Sequence, residues 1–269
     1  MKSRCLILLA ASCVLRAQPR QEGPRPEWPC IAGRAVDPAY LETSESTGGQ
    51  VFLFQKGEIG QTALFLSADR THPATVLRAI GSLSGSGEFE FPVDSSMQSL
   101  LVTASVQCRK TISLFRPSGT EMTPGNSTES VDLQASRAVR VDNPEPGNWK
   151  IRLQGTGMFV LAVRAQSALR LMGVDFVDQG ELKSQPRFGV AQTAVAHVAG
   201  EVASLRFEMI GPNGAVISAG ETVENADGAH RFSIAPTEER FRVRITGVDS
   251  LGWPVVRTHP ILFRAHPQN

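Results

Sequence analysis

Histidine has the widest chemical range of the residues in this chain, because a neutral imidazole can act as a general base or bind zinc. No two histidines are spaced at i, i+2 or i, i+4, and the sequence contains no H-E-x-x-H motif or Cys/His cluster. We therefore expect satisfied or solvent-exposed histidines, with a zinc site assembled only in the tertiary structure as the alternative. The five positions are His72, His197, His230, His259 and His266.

The segments rich in glycine and serine do not have the spacing of a nucleophile or a phosphate loop. In GSLSGSGE, residues 81–88, no serine has glycine at both second neighbours, which the nucleophile elbow of a hydrolase requires. KGEIGQT, residues 56–62, lacks the Gly-Lys-Ser/Thr ending of a phosphate-binding loop. We expect a flexible loop at the first segment and a turn at the second. No catalytic residue, enzymatic activity or cofactor is predicted.

Three acidic residues lie close together near a predicted domain boundary, namely Asp175, Asp178 and Glu181. Calcium is bound by carboxylate oxygens, but the spacing does not match an EF-hand loop. The segment is expected to be a solvated linker, with a calcium site as the alternative.

The composition is that of a globular protein without a preference for nucleic acid. The chain has 269 residues, enough for one large domain or two of ordinary size. The 27 basic and 26 acidic residues are spread along the chain and leave a net charge of +1. Because no basic patch stands out, no nucleic-acid partner is expected.

The N-terminus has the pattern of a secretory signal peptide over residues 1–17. A basic start precedes an apolar run of about 11 residues and a small residue, and that run is too short to span a membrane. The chain is therefore expected to be secreted, extracellular or periplasmic, with lipid anchoring through Cys13 as the alternative. The sequon Asn126-Ser127-Thr128 lies in a predicted loop and would be glycosylated only in a host with that machinery.

Two cysteines, Cys30 and Cys108, remain after removal of such a signal. An even pair in an oxidising compartment usually forms a disulfide. We expect this bridge to tie the N-terminal segment to the first domain, with two separate buried thiols as the alternative.

Alternating apolar and polar residues predict an all-β protein. At least eight short strands follow one another at intervals of roughly 8–12 residues, separated by segments rich in glycine and proline, as in antiparallel sandwiches. Residues 50–54 and 62–67 are expected to form a hairpin, and residues 73–81 are the one place where a short helix competes. A Pro-Asn-Gly turn within residues 204–218 predicts a further hairpin.

The predicted organisation is two consecutive antiparallel β-sandwich domains behind a leader. The Pro/Ser-rich leader covers residues 18–49, and the first sandwich covers 50–173. A linker at 174–186 then connects it to a second sandwich at 187–266, which has the size of an immunoglobulin-like domain.

The segment VDNPEPGNWKIRL, residues 141–153, predicts a rigid corner that leads into a strand. Pro144, Pro146 and Gly147 restrict the turn, and Trp149 shares one face of the strand with two aliphatic residues. We expect Trp149 to be a structural core residue.

The order of the motifs resembles a known extracellular segment. The strings FEFPVDSSMQSLLVTASV, TISLFRPSG and RVDNPEPGNWKIRL occur in the order found in the β-sandwich that follows the von Willebrand factor A domain in hemicentins and related proteins. The resemblance covers about residues 51–264 and implies a non-enzymatic matrix or cell-surface module. The A domain itself and its Asp-x-Ser-x-Ser metal-adhesion motif are absent, so metal-dependent adhesion is not implied.

These observations predict a secreted interaction or adhesion module that recognises a protein partner through its surface. A glycan-binding or accessory module of a secreted hydrolase system is the alternative. Trp253 follows a glycine in a predicted turn, which makes it a possible interface residue, although core or rim packing is the other interpretation. Trp28 in the leader has the same two interpretations.

Overall fold

The structure is a computed structural model, and it describes Cys30 and residues 36–178, 180–202, 204–220, 222–226 and 229–267. The predicted signal peptide, Cys13 and Trp28 lie outside the described residues. Of the described residues, strands make up 59% and helices 10%, which confirms the predicted all-β class.

Two α-helices and one 3₁₀ helix precede fifteen strands within the described residues. The helices are α1 (Pro38–Thr47), the 3₁₀ helix (Lys56–Gln61) and α2 (Ala63–Thr71). The first seven strands are β1 (Ala74–Val93), β2 (Met97–Phe115), β3 (Glu129–Asp132), β4 (Ser136–Asp142), β5 (Gly147–Ser167), β6 (Arg170–Asp178) and β7 (Glu181–Lys183). The remaining eight are β8 (Gln192–Ala199), β9 (Ser204–Ile210), β10 (Val216–Gly220), β11 (Thr222–Ala226), β12 (Ala229–Ile234), β13 (Arg240–Val248), β14 (Pro254–Thr258) and β15 (Phe263–Arg264).

The first sheet, in the order β1-β5-β2-β4-β3, is bent back on itself. At the end of β1, Val93 pairs with Gly147, the first residue of β5, whereas Met97 in β2 pairs with Ser167, the last residue of β5. A straight 21-residue strand would separate its two ends by about 65 Å. The short link from Val93 to Met97 reaches at most about 15 Å, so β5 must fold over. One sheet therefore supplies both layers of a sandwich.

Glycine makes this bend. Gly85 in β1 faces Gly155 in β5, and both have positive φ angles, which favour glycine. A Cβ atom on Gly155 would lie only 2.2 Å from the carbonyl oxygen of Cys108. The bend brings the rings of Phe89 and Phe159 to 5.4 Å, although their positions lie eight residues apart on the β1–β5 ladder.

Two local predictions in this region are wrong. The segment 81–88, predicted to be a flexible loop, is part of β1, and so is the segment 73–81 apart from its first residue, where a short helix was the competing prediction. Residues 74–79 are all buried in β1, including the polar Thr75 and Arg78, so this part of the strand shows no alternation of buried and exposed residues. Periodicity cannot separate such a buried strand from a short buried helix.

The predicted hairpin at 50–67 is also wrong. Residues 50–55 are irregular apart from one bridge, and the 3₁₀ helix and α2 follow them. Phe54 and Phe65 pack edge to face at 5.0 Å and belong to a small cluster with Leu101 on one face of the first sheet. Two short apolar runs with a polar connection fit a helix on a sheet as well as they fit two strands. The predicted Pro/Ser-rich leader, residues 18–49, contains α1, which Asp37 caps at its N-terminus.

The remaining strands form two sheets that face each other. One has the order β10-β9-β13-β14, with β15 beside β13, and the other has the order β11-β12-β8-β6-β7. Phe207 and Phe232 meet across the gap with ring centroids 4.6 Å apart, inside a core that both sheets line. The segment 174–186, predicted to be a linker, instead holds most of β6 and all of β7, because Phe176 points into this core.

Strand β14 packs against β1 and joins the two sandwiches. Thr258 Oγ1 donates to the carbonyl of Val76 at 2.9 Å, and Ile80 N donates to the carbonyl of Pro212 at 2.9 Å. The first of these bonds satisfies polar groups that are buried between the two sandwiches, where an unpaired group would be costly.

Candidate functional site

The proline-rich corner is a structural element. Trp149 is fully buried, and its indole Nε1 donates to the carbonyl of Glu145 at 3.0 Å. The guanidinium of Arg116 lies 5.9 Å from the centre of its ring. Pro144 is buried, Pro146 is half-buried, and Gly147 has a φ of 137°. The corner therefore closes the core and leaves no indole surface for a ligand.

A Ser-His-Asp group exists, with a buried serine and histidine and an exposed aspartate, but its order does not suit nucleophilic catalysis. The hydroxyl of Ser99 donates to Asp142 Oδ1 at 2.8 Å and lies 2.9 Å from His72 Nε2. In a catalytic triad the histidine stands between the serine and the acid, so that it can take the serine proton. Here the serine hydroxyl already donates its hydrogen bond to the carboxylate. The group instead ties the end of α2 to β2 and β4.

The remaining histidines have structural or surface positions. Burial lowers the pKa of His259 to about 4, and its ring stacks on Phe263 at 5.0 Å. His230 is also buried, and burial lowers its pKa. His197 and His266 bond to single surface partners. In the described part of the chain, no three His, Cys, Asp or Glu residues lie close enough to hold a metal.

The three candidate calcium ligands each pair with a different side chain. Asp175 Oδ2 lies 3.1 Å from His197 Nε2, Asp178 forms an ion pair with Arg187 at 2.6 Å, and Glu181 pairs with Lys183. The structure thus does not bring these carboxylates together as one site.

The predicted disulfide is present. Cys30 and Cys108 are bonded, with their Cα atoms 4.0 Å apart and their positions separated by 78 in the sequence. The bridge attaches the N-terminal segment to the bend of the first sheet, and it restricts the unfolded chain by closing a long loop.

Two buried ionic groups hold the sandwiches in a fixed relation. Arg257 of β14 is fully buried, and its Nη1 donates to Asp94 Oδ2 at 2.7 Å, while Nη2 donates to Ser167 at 2.8 Å. Removal of one partner from a buried pair leaves an uncompensated charge, which typically costs about 3–5 kcal/mol. The residues around Asp94 are therefore held in one arrangement.

The second ionic group joins α1 to both sandwiches. Glu45 of α1 is buried and forms ion pairs with Arg78 of β1, at 2.6 Å, and with Arg242 of β13. Burial lowers the pKa of Arg242 to about 10, so this arginine remains charged at neutral pH. One carboxylate thus serves two buried guanidinium groups from different sandwiches.

The turn between β13 and β14 is the candidate binding site, and we call residues 248–254 the Trp253 turn. Asp249 is buried, and its Oδ1 accepts hydrogen bonds from the backbone N–H groups of Leu251 at 2.9 Å and Trp253 at 2.8 Å. Its Oδ2 accepts from the N–H and hydroxyl of Ser95, at 3.0 and 2.6 Å, in the β1–β2 turn of the first sandwich. The carboxylate thus organises the turn and anchors it to the neighbouring sandwich.

This rigid turn presents apolar side chains to solvent. Leu251 is 72% exposed, Trp253 is 39% exposed and Val248 is 38% exposed. Among the exposed large apolar residues of the described ranges, no other three lie within six consecutive positions. Such residues on an ordered turn are typical of a recognition surface, because an ordered loop loses little conformational freedom on binding.

The pKa of Asp249 agrees with this geometry. Burial acts to raise the pKa of its carboxyl, but the hydrogen bonds from Ser95, Trp253 and Leu251 together hold the pKa below its usual value. The carboxylate is therefore ionised at neutral pH, which strengthens the bonds that it accepts.

Sequence comparison relates the first sheet to one family. Residues 74–168 match the family model described as hemicentin galactose-binding domain-like. The match begins at the first residue of β1 and ends one residue after β5, so it coincides with the bent five-stranded sheet. This part of the chain is therefore similar to that domain type. No curated protein matches the chain.

Two solved structures align with much of the chain at low similarity. The glycoside hydrolase domain of Endo-D from Streptococcus pneumoniae R6 is 10% identical, with a TM-score of 0.23, and covers 70% of this chain. This chain in turn covers 33% of that domain. A chimeric titin Z1Z2-Z1Z2 tandem is 12% identical with a TM-score of 0.23, and the alignment covers 71% of this chain and 100% of the tandem. Likeness at this level carries no argument about function.

Among the described residues, no helix has the length and apolar character that a membrane crossing requires.

Proposed function

We propose that this protein is a secreted, non-enzymatic interaction module that binds a protein partner through the Trp253 turn. The observation that carries the proposal is the turn itself, in which a buried carboxylate fixes the backbone and two large side chains face solvent. Tryptophan and leucine offer apolar area, and a rigid aromatic side chain in the centre of a contact typically contributes about 2 kcal/mol or more.

The family match supports the binding part of this proposal. The matched domain type is named for binding, and no catalytic arrangement was found among the histidines, serines and carboxylates considered above. The disulfide supports an oxidising location, since such bridges persist outside the cytosol.

The test places a photo-crosslinking amino acid at Ser250, inside the Trp253 turn, in the full chain secreted from its own host. The matched control carries the same group at Val216, which is 54% exposed on the edge strand β10. We expect one dominant protein to be crosslinked from Ser250 and not from Val216. Equal labelling from both positions, or none from Ser250 with folded protein, would refute the assignment of the site.

Side-chain truncation then measures the contribution of the turn. With the captured partner purified, Trp253→Ala should weaken binding by roughly 30-fold or more, which corresponds to about 2 kcal/mol. Met172→Ala is the control, because Met172 is also exposed and lies outside the turn, on β6. Equal affinities of the two variants would count against the proposal.

A glycan ligand is the second candidate function, and the name of the matched family favours it. An exposed tryptophan can also stack on a sugar ring. Binding of the secreted protein to an array of galactose-terminated glycans, lost in Trp253→Ala, would replace the protein partner by a glycan at the same turn. Binding that survives Trp253→Ala would place a glycan site elsewhere.

A further inference from the structure

We infer that Asn126 is an N-glycosylation site whose oligosaccharide stands beside the free edge of the first sheet. The inference rests on the secretion in the proposed function, but not on the Trp253 turn. The sequon Asn126-Ser127-Thr128 has the required hydroxyl residue two positions after the asparagine and no proline between them.

The position of the side chain permits the modification. Asn126 is exposed, and so are Thr123, Pro124, Gly125 and Thr128 around it. The asparagine stands on the connection between β2 and β3, outside the core clusters of the fold. A large hydrophilic group can therefore project from it without displacing a packed side chain.

The hydrogen bonds of Asn126 leave one amide hydrogen for the reaction. Its Oδ1 accepts from Thr123 N at 2.7 Å, and its Nδ2 donates one hydrogen to the carbonyl of Glu121 at 3.0 Å. Nδ2 carries two hydrogens, and no described residue accepts the second. A glycosylated amide keeps one N–H, so the bond to Glu121 and the shape of the turn can persist after modification.

The chemical step is a group transfer that balances. Nδ2 of Asn126 forms a bond to the anomeric carbon of a lipid-diphosphate-linked oligosaccharide. The bond from that carbon to the diphosphate oxygen breaks, the lipid diphosphate leaves with the electron pair, and one amide proton is released. The donor and the transferase belong to the secretory pathway of hosts that carry this machinery, and the disulfide likewise persists in oxidising compartments.

A glycan on Asn126 also affects which edge of the first sheet another chain can approach. Glu129, three residues after Asn126, begins β3, which is the outermost strand of the first sheet. An edge strand offers unpaired backbone groups to another chain, and proteins commonly protect such edges. A glycan at this position stands where an added strand would approach, so recognition by the first sandwich is directed away from β3.

The test uses the full chain produced in cultured mammalian cells behind a heterologous signal peptide, so that entry into the secretory pathway does not depend on the native one. The intact mass is measured before and after peptide N-glycosidase treatment, together with the mass of the peptide that contains Asn126. We expect the protein to lose the mass of one N-linked oligosaccharide and the peptide to show the Asn126→Asp conversion that the glycosidase leaves.

Two variants of Thr128 provide the matched controls. Thr128→Ser keeps the hydroxyl, both for the transferase and for the bond that Thr128 Oγ1 accepts from Asp142 N at 2.9 Å, and should remain glycosylated. Thr128→Ala removes the hydroxyl and should abolish the mass shift while Asn126 itself is unchanged. Secreted, disulfide-bonded protein without a mass shift, or a shift that survives in Thr128→Ala, would overturn the inference. Neither result affects crosslinking from the Trp253 turn, so each of the two proposals can be refuted without refuting the other.

Discussion

Replacement of Asp249 by alanine tests whether one carboxylate organises the Trp253 turn. The substitution removes the acceptor of four hydrogen bonds, two from Ser95 and one each from the N–H groups of Leu251 and Trp253. These donors lie in a partly buried turn, where water can replace the lost acceptor only incompletely. The turn should loosen and the protein should lose stability.

The expected loss of stability in Asp249→Ala follows from the number of hydrogen bonds that the carboxylate accepts. A hydrogen bond contributes about 1 kcal/mol net, and one to a charged group about 1.5–3 kcal/mol, so the loss should be about 4 kcal/mol or more. For a chain of this size, that corresponds to a fall of roughly 8–16 °C in the melting temperature. Asp249→Asn retains one oxygen, which can serve either Ser95 or the turn but not both, and should lose about half as much.

The assay is scanning calorimetry of the secreted protein, with Ser95→Ala and the double variant completing a thermodynamic cycle. We expect a coupling of about 1 kcal/mol or more between Asp249 and Ser95 because they touch directly. The low pKa of Asp249 sets the direction of the pH effect. Its stabilisation is fully present above about pH 4, the pKa of an unfolded aspartate, and is lost as the pH falls through the lower folded pKa. A stability change under about 1 kcal/mol in Asp249→Ala would refute the reasoning.

Three further substitutions or conditions test the fold. Gly155→Ala should be strongly destabilising, by about 3 kcal/mol or more, because the added Cβ would lie 2.2 Å from the carbonyl oxygen of Cys108; a urea midpoint like that of the wild type would contradict the bend. Glu45→Gln leaves two buried arginines without a counter-charge and should cost about 3–5 kcal/mol in the same assay; a loss under about 1 kcal/mol would show that the pairs are not needed. The pKa of both His72 and His259 is about 4 in the folded protein against an ordinary 6.5, so their stabilisation is present above pH 6.5 and is lost as the pH falls towards 4. Urea midpoints that do not fall between pH 7 and pH 4.5 would exclude this effect.

The fold class could be predicted because it depends on local patterns. Alternation in segments such as 99–106 and 148–153 reflects one face towards the core and one towards water, and that periodicity is visible without a structure. The Pro-Asn-Gly turn between β9 and β10 and the corner before Trp149 were also predictable, since proline and glycine restrict the backbone locally.

The wrong secondary-structure predictions concern segments that are fully buried or packed on a sheet, because their apolar and polar residues no longer follow a strand-like or helix-like period. Residues 74–79 of β1 are all buried, and Arg78 among them pairs with Glu45 of α1, so no alternation of buried and exposed residues is seen there. Residues 63–71 form a helix because one face packs on the first sheet, which the short apolar run does not reveal. The segment 174–186 is polar enough to resemble a linker, yet Phe176 anchors β6 in the second core.

The candidate site also combines a residue that the sequence could indicate with one that only the tertiary structure reveals. Trp253 could be proposed from its position after Gly252 in a turn, but the role of Asp249 could not. Its hydrogen bond to Ser95 joins residues 154 positions apart, a contact that no local pattern encodes. The two buried ionic groups also join distant segments.

The sequence by itself indicated the β-class, the Pro-Asn-Gly turn, the corner before Trp149 and the expected disulfide pair, because alternation, backbone restriction and the small number of cysteines are local or compositional properties. Only the tertiary structure decided that one long sheet folds over to make the first sandwich, and that a buried aspartate holds the exposed Trp253 turn. The physical reason is that a bend becomes favourable when it buries apolar faces from both halves of the same strands. A carboxylate likewise becomes an organising acceptor only when folding removes it from water and supplies donors from two sandwiches.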